Sequence, residues 1–349
     1  MSVLTLPAQP GQDTAPRPVP WRGMAWVTWR QQRALLISVP AVLVAVAVLL
    51  VILGLKAHHD YAPLVNCSLN QGQQSGACQK LFSHFNSTDW PLANTVSILV
   101  ALAPVLIGAF AGAPLLAREL ESGSYRFAWT QGLGRERQVI AKLVLVGIAL
   151  VILAGAFGGL FSWFFQPFLW TEQMNRLTTE GVFASGGIVF PAFTLVAFMI
   201  GAFLGMLLRR VIPALAATLG VYLAVRLGAW ALRGQYPVTV VTSNANQFSA
   251  YGTPSQPGFA WILSTWYTGP GGKPASQSVV NKLLDQYQSN PHPRVSVDQT
   301  LAAHGYTEWN RWIPLSHYWP MQFIEAGWLL VLILALFAAT VSLVRRRAA

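Results

Sequence analysis

Arg118-Glu-Leu-Glu-Ser-Gly-Ser-Tyr-Arg-Phe-Ala-Trp-Thr-Gln-Gly-Leu-Gly-Arg-Glu-Arg137, continued to Lys142, is an island of charge between two long apolar runs. It places eight charged residues in 25 positions, although only 10% of the chain is charged. Charged side chains in hydrocarbon cost about 3 kcal/mol or more each, so these must be solvated or paired. The island predicts a turn outside a membrane, either as a docking surface for a soluble partner or as a solvated connection.

The rest of the chain is too apolar for a soluble domain of its size. Its 349 residues are 54% hydrophobic, and its mean hydropathy is +0.45. Continuous runs of roughly 20 apolar residues are typical of spanning helices, whereas barrel strands alternate. We therefore predict an all-α polytopic membrane protein with six transmembrane helices. The runs are Ala34–Leu55, Trp90–Ala117, Leu143–Thr171, Gly181–Leu208, Val211–Leu232 (broken only by Arg226) and Ala326–Val344.

The distribution of Lys and Arg predicts the orientation. With the N-terminus inside, the cytoplasmic pieces carry 14 of the 23 basic residues, so both termini are expected in the cytoplasm of a cell-membrane protein. This bias accounts for the net charge of +11 without a nucleic-acid partner. The expected order is a disordered tail (1–20), an interfacial helix (21–33), spans 1–5 (34–232) with the charged loop 118–142, an exofacial loop subdomain (233–320), and span 6 with a basic tail (321–349).

The segment before the first span has the pattern of an interfacial amphipathic helix. Trp26 and Trp29 are three residues apart, as are Arg30 and Arg33, which suits indoles at the headgroup level and arginines toward anionic lipid. A simple N-terminal extension of the first span is the alternative.

Several features lie on the predicted outer side. Cys67 and Cys78 are the chain's two cysteines, and an oxidising face favours a disulfide between them over two free thiols. His58-His59-Asp60 is the one histidine cluster, but adjacent residues rarely converge on one ion, so we expect no metal. In the loop 233–320, apolar spacing predicts helices at Val279–Tyr287 and Val297–Trp312, while Val238–Val241 permits a strand.

Two patterns lie inside the spans. Arg226 is the one basic residue within an apolar run, and Glu325 is its expected partner if their helices are neighbours; snorkelling to the interface or a place on the substrate path are the alternatives. Three spans carry a small-xxx-small face, which favours either ordinary bundle packing or a moving or dimer-forming contact. These faces are Gly108–Gly112, Gly155–Gly159 and Gly201–Gly205.

The chain lacks the motifs of nucleotide or hydrolytic chemistry. Gly269-Pro-Gly-Gly-Lys273-Pro lacks the first Gly and the following Ser/Thr of a phosphate-binding loop, so we expect no catalytic, cofactor or metal site here. A membrane enzyme or sensor using the loop 233–320 is the alternative. Its candidate residues are Asp285, Asp298, Glu308, His304 and His317.

Four stretches resemble the permease subunit of type-2 ATP-binding-cassette exporters, particularly six-span permeases of actinobacteria. They are Trp26-Val-Thr-Trp-Arg-Gln-Gln-Arg33, Phe110-Ala-Gly-Ala-Pro-Leu-Leu-Ala-Arg-Glu-Leu-Glu-Ser-Gly-Ser124, Ala128-Trp-Thr-Gln131 and Tyr318-Trp-Pro-Met-Gln-Phe-Ile-Glu325. The resemblance implies an exporter that moves an amphipathic substrate by alternating access. It also implies a second permease copy, separate ATPase subunits that bind ATP and Mg²⁺, and a coupling loop that docks on them. In this sequence the coupling residues are Arg118, Glu119, Glu121, Gly123, Arg126, Arg135 and Lys142.

Overall fold

The computed structural model describes residues 21–69, 76–121, 135–169, 176–238, 240–244, 261–288 and 297–346. It does not describe the side chains of residues 21–36, 38–39, 65–69, 82, 135, 241, 243–244, 288 and 297–299. Within these ranges six helices are long and apolar enough to cross a membrane, as predicted. The helices are α1 (Trp21–Leu69), α2 (Gly76–Ile107), α3 (Ala113–Glu121), α4 (Arg135–Phe164), α5 (Glu180–Ser185), α6 (Val189–Leu208), α7 (Val211–Arg233), α8 (Gln277–Gln288), α9 (Val297–Ala303) and α10 (Tyr318–Arg346).

Helix α1 is longer than a membrane is thick. Its 49 residues extend about 74 Å at 1.5 Å per residue, whereas the candidate span within it is Pro40–Leu64. The segment 21–33 therefore continues the first spanning helix, which is the alternative that the sequence left open. Its interfacial position stays a prediction, because the side chains of Trp26, Trp29, Arg30 and Arg33 lie outside the description. The predicted tail 1–20 lies outside it as well.

The fourth apolar run does not form one helix. It divides into α5 and α6 at Gly186-Gly187, where Gly187 has a φ of +58°. Residues with a side chain rarely adopt this conformation, so the glycine pair ends α5 and turns the chain. The spanning part consequently begins at Val189, eight residues later than the run suggested.

Helix α6 forms the centre of the bundle, where it packs against α2, α3, α4, α7 and α10. The second span meets it through glycines, at a π-helical turn that separates α2 from α3 and consists of Gly108–Gly112. A Cβ on Gly108 would lie 2.5 Å from the Ala197 carbonyl oxygen, and one on Gly201 would overlap the Gly108 carbonyl oxygen. Two of the three predicted small-xxx-small faces thus pack on each other.

The region between α7 and α10 contains a sheet, although the sequence analysis allowed only a strand at Val238–Val241. Its three antiparallel strands run in the order β1-β3-β2, with β1 at Val241–Asn244, β2 at Trp261–Thr268 and β3 at Thr307–Ile313. Trp261 and Ile313 pack on the core around α6, so the sheet covers one end of the bundle. We call this the sheet end, and the opposite end, which carries Glu121, the α3 end.

The predicted helix Val297–Trp312 is wrong beyond Ala303. Gly305, with a φ of +75°, donates its N–H to the Ala302 carbonyl, and Tyr306 donates to the Leu301 carbonyl at 2.9 Å. This is a Schellman turn, which ends a helix. The β-forming residues that follow pair with β2 instead, where Trp309 lies opposite Trp266.

Candidate functional sites

At the α3 end, Glu119 forms an ion pair with Lys142 of α4. Lys142 is only 1% exposed and Glu119 is 26% exposed, so the pair lies at the edge of the buried core. A buried ammonium needs a partner, because the cost of removing it from water is otherwise not offset. Two predicted coupling residues are therefore joined to each other, and they tie α3 to α4.

Glu121 connects α3 to a third helix. Its Oε2 accepts a hydrogen bond of 3.0 Å from the backbone N–H of Val211, the first residue of α7. The first N–H groups of a helix have no partner within the helix, and a carboxylate there also interacts favourably with the helix dipole. Glu121 thus caps α7 directly after the two-residue turn Arg209-Arg210.

Of the remaining predicted coupling residues, one is exposed and the others lie, wholly or in their side chains, outside the part of the chain that the structure describes. Arg118 is exposed on α3, while the Arg135 side chain and both Gly123 and Arg126 lie outside the described residues. Arg345 of α10 forms an ion pair with Glu136 of α4. The α3 end therefore presents a basic surface over helices that are tied together. Its exposed arginines are Arg118, Arg137, Arg209, Arg210, Arg345 and Arg346.

At the sheet end, Glu325 is fully buried and holds α10 to α7. It accepts hydrogen bonds of 3.2 Å from both Nε and Nη2 of Arg233, and one of 2.9 Å from the Tyr236 hydroxyl. Burial and the neighbouring Glu325 raise the pKa of Tyr236 above its usual value, so the phenol stays protonated and donates. The hydroxyl in turn accepts a bond of 3.2 Å from the Trp328 indole.

Glu180 at the start of α5 joins both arginines of α7. Its Oε1 lies 2.8 Å from Nε of Arg226, and its Oε2 lies 2.6 Å from Nη1 of Arg233. The predicted direct pair of Arg226 with Glu325 is therefore corrected: Arg226 pairs with Glu180, and Glu325 pairs with Arg233. The reason is geometric, since Arg233 lies two turns beyond Arg226, closer to the start of α10.

The turn between α5 and α6 is held from α10 by Gln322. Its Oε1 accepts from the Val189 N–H at 3.0 Å, and its Nε2 donates to the Phe183 carbonyl at 2.8 Å. The side chain itself is fully buried. α5 is consequently fixed from two sides, by charge from α7 and by amide bonds from α10.

The other predicted residues are dispersed. His58 stacks on the Trp163 ring with centroids 4.9 Å apart, and His59 lies beside Asp60. Cys78 lies on α2, but the Cys67 side chain lies outside the described residues, so the disulfide between them stays a prediction.

The residues suggested for an exofacial enzyme lie apart from one another. Asp285 is exposed on α8, His304 Nδ1 donates to the Thr300 carbonyl, His317 lies beside Ser316, and Glu308 accepts from Asn310. The Asp298 side chain lies outside the description. Among the described residues no group of three potential metal ligands occurs.

Sequence reasoning missed Glu180 and Arg233. The seven-residue spacing of Arg226 and Arg233 was an available signal, because it places both on one helix face. Glu180 carried no such signal, since its position depends on the break at Gly186-Gly187.

Six spanning helices with charge concentrated at two ends define a multi-pass membrane protein. A family model described as ABC-2 membrane transporter related matches residues 40–233, which is more than half of the chain. The chain belongs to this family of transporter permeases, and the resemblance is confirmed at that level; the narrower likeness to actinobacterial permeases stays a prediction. No curated protein and no solved structure matches the chain.

Proposed function

We propose that this chain is the membrane subunit of an ATP-driven exporter and that a soluble ATPase docks on its α3 end, in the cytoplasm. The strongest support is the tethering of α3, which Glu119 ties to α4 and Glu121 ties to α7. A force on the segment 122–134 is then passed into spanning helices, because α3 cannot move independently of them. ATP and Mg²⁺ bind on the partner, and this chain supplies the pathway.

The cargo is amphipathic, such as a lipid, a peptide or a hydrophobic drug. Charged side chains of the described spans gather at the two ends of the bundle, while its middle is apolar. Such a bundle suits a molecule that moves with its apolar part in contact with lipid. A second permease copy, identical or related, completes the path. Helices α1 and α7 are the least buried spans and expose apolar side chains such as Ile52 and Leu223 to lipid or to this copy.

The docking surface is tested with a charge reversal that leaves the internal ties intact. Glu119 and Glu121 are unsuitable because they hold helices together, whereas Arg118 is exposed. We expect Arg118→Glu to weaken association with the partner ATPase by about tenfold, since a rim charge sets electrostatic complementarity. The measurement is the dissociation constant of the purified complex in lipid discs.

Arg311→Glu is the matched control, because Arg311 is an exposed arginine at the sheet end. It should bind the ATPase with wild-type affinity. Equal affinity for Arg118→Glu and wild type would contradict docking at the α3 end.

A further inference from the structure

The two carboxylates of the sheet-end network are held differently. Glu325 is fully buried and accepts three aligned hydrogen bonds. The Glu180 side chain is 30% exposed, although both carboxylate oxygens are buried. Within the described residues neither oxygen accepts an aligned hydrogen bond, despite two close arginine nitrogens. Glu325 is therefore a fixed part of the fold, whereas Glu180 is held mainly by its charge.

The two arginines differ in the same way. Arg233 has Glu325 as a bidentate partner and also lies 3.9 Å from the centroid of the Phe183 ring. In the described part of the chain, Glu180 is the only carboxylate that pairs with Arg226. The Arg226 Nη1 is buried there without an aligned hydrogen bond, and so is the Tyr222 hydroxyl, which lies one turn earlier beside the same guanidinium.

Buried polar atoms without partners are rare in native proteins and call for a physical explanation. A guanidinium presents donors in a planar fork that matches a carboxylate or a phosphate. Tyr222 adds a hydroxyl to the same helix face, and the Phe193 ring lies 4.6 Å from the guanidinium carbon of Arg226. An acidic group with several oxygens would satisfy donors that Glu180 leaves unpaired.

We propose that Arg226 and Tyr222 bind an acidic group, a phosphate or a carboxylate, at the head of an amphipathic molecule, and that Glu180 is the internal competitor that this group displaces. The proposal rests on the transport function and names the charge of its cargo. Its position fits, because Arg226 lies about two turns from the sheet end of α7, near the level of lipid headgroups. Displacement of Glu180 frees α5 from α7 while the Arg233–Glu325 pair remains.

The opposite effects of two single substitutions distinguish this site from a structural ion pair. Glu180→Gln removes the competitor and is expected to tighten binding of an acidic amphiphile about tenfold. Arg226→Gln removes the binding cation and is expected to weaken it at least about tenfold, as for a hydrogen bond to a charged group. Tyr222→Phe, which preserves the ring packing, should weaken binding by a smaller factor.

The experiment titrates dodecyl phosphate calorimetrically into the purified permease in phosphatidylcholine discs, with empty discs to subtract partitioning. Dodecyl maltoside is the uncharged comparison and should bind all four proteins alike. Inorganic phosphate tests whether an acyl chain is needed and should bind more weakly than dodecyl phosphate by at least about tenfold.

Three results would overturn the proposal. Glu180→Gln could bind dodecyl phosphate more weakly than the wild type does, or Arg226→Gln could bind it as tightly as the wild type. The third is equal affinity of the wild type for inorganic phosphate and dodecyl phosphate. The titration needs no ATPase, so its failure is separate from a failure of the docking experiment with Arg118→Glu.

Discussion

At the scale of single residues, the fold depends on a few buried charges whose partners come from distant parts of the chain. Arg233 is 1% exposed and Glu325 is fully buried, yet 92 positions separate them. A buried ion pair adds little stability compared with apolar residues, but loss of one partner leaves an uncompensated charge. Glu325 therefore matters chiefly because it compensates the charge of Arg233, which would otherwise be buried without this partner.

We predict that Glu325→Gln lowers the free energy of unfolding by about 3 kcal/mol, because Glu180 is then the only carboxylate among the described residues that pairs with Arg233. The measurement is the thermal unfolding midpoint of the purified protein in lipid discs. Asp285→Asn serves as the control, since Asp285 is an exposed carboxylate on α8. Similar midpoints for both variants would show that the buried pair does not hold α7 to α10.

At the scale of secondary-structure elements, glycines decide how closely the second span and α6 approach. The π-helical turn Gly108–Gly112 faces Gly201, and Gly205 faces Ala113 of α3, so backbone atoms of one helix occupy the space where side chains of the other would lie. Gly155 and Gly159 show the opposite case, because a Cβ on either meets nothing within 4 Å. The same sequence pattern thus packs internally in two spans and stays open in the third.

This contrast predicts different outcomes for one substitution at two glycines. Gly201→Ala should destabilise the protein by about 2 kcal/mol, because its Cβ overlaps the Gly108 carbonyl oxygen. Gly155→Ala should be neutral or stabilising by up to about 1 kcal/mol through higher helix propensity. Thermal unfolding of the two variants side by side is the test, and equal destabilisation would argue against the close contact.

At the scale of the whole molecule, the bundle has two unlike ends. The α3 end presents exposed arginines over tethered helices, and the sheet end covers a buried network of two arginines and two carboxylates. In the proposed exporter, ATP-driven force enters at the first end and the acidic cargo is bound near the second. Helix α6 connects them, because it packs along both α3 and α10.

The positive-inside rule predicts that the α3 end faces the cytoplasm, and this prediction is directly testable. In sealed right-side-out vesicles, a membrane-impermeant maleimide should label Lys273→Cys but not Arg118→Cys, since these exposed residues lie toward opposite ends. Labelling of Arg118→Cys before permeabilisation would show that the α3 end faces outward, opposite to the prediction. The wild-type chain gives the background, and absence of labelling without reductant is expected if Cys67 and Cys78 are joined.

The sequence predicted the spans well because each depends on a local property, the hydropathy of about 20 consecutive residues. It predicted α8 for the same reason, from apolar spacing within one segment. It missed the break at Gly186-Gly187, since two glycines are common within spans. It also missed β3, whose pairing partners lie 39 or more positions away in the chain. The predicted Arg226–Glu325 pair was wrong because knowing that two helices are neighbours does not specify which turn of one helix lies beside which turn of the other.

The amino-acid sequence by itself determined that the chain crosses a membrane six times, which family it resembles, and where its charge is concentrated, because burial in lipid is decided residue by residue. Only the tertiary structure decided that Glu119 and Glu121 act as ties between helices, and that Glu180 and Arg233 complete the buried network. Ion pairs between helices depend on the distance between individual atoms, and packing sets those distances only when the whole bundle is assembled.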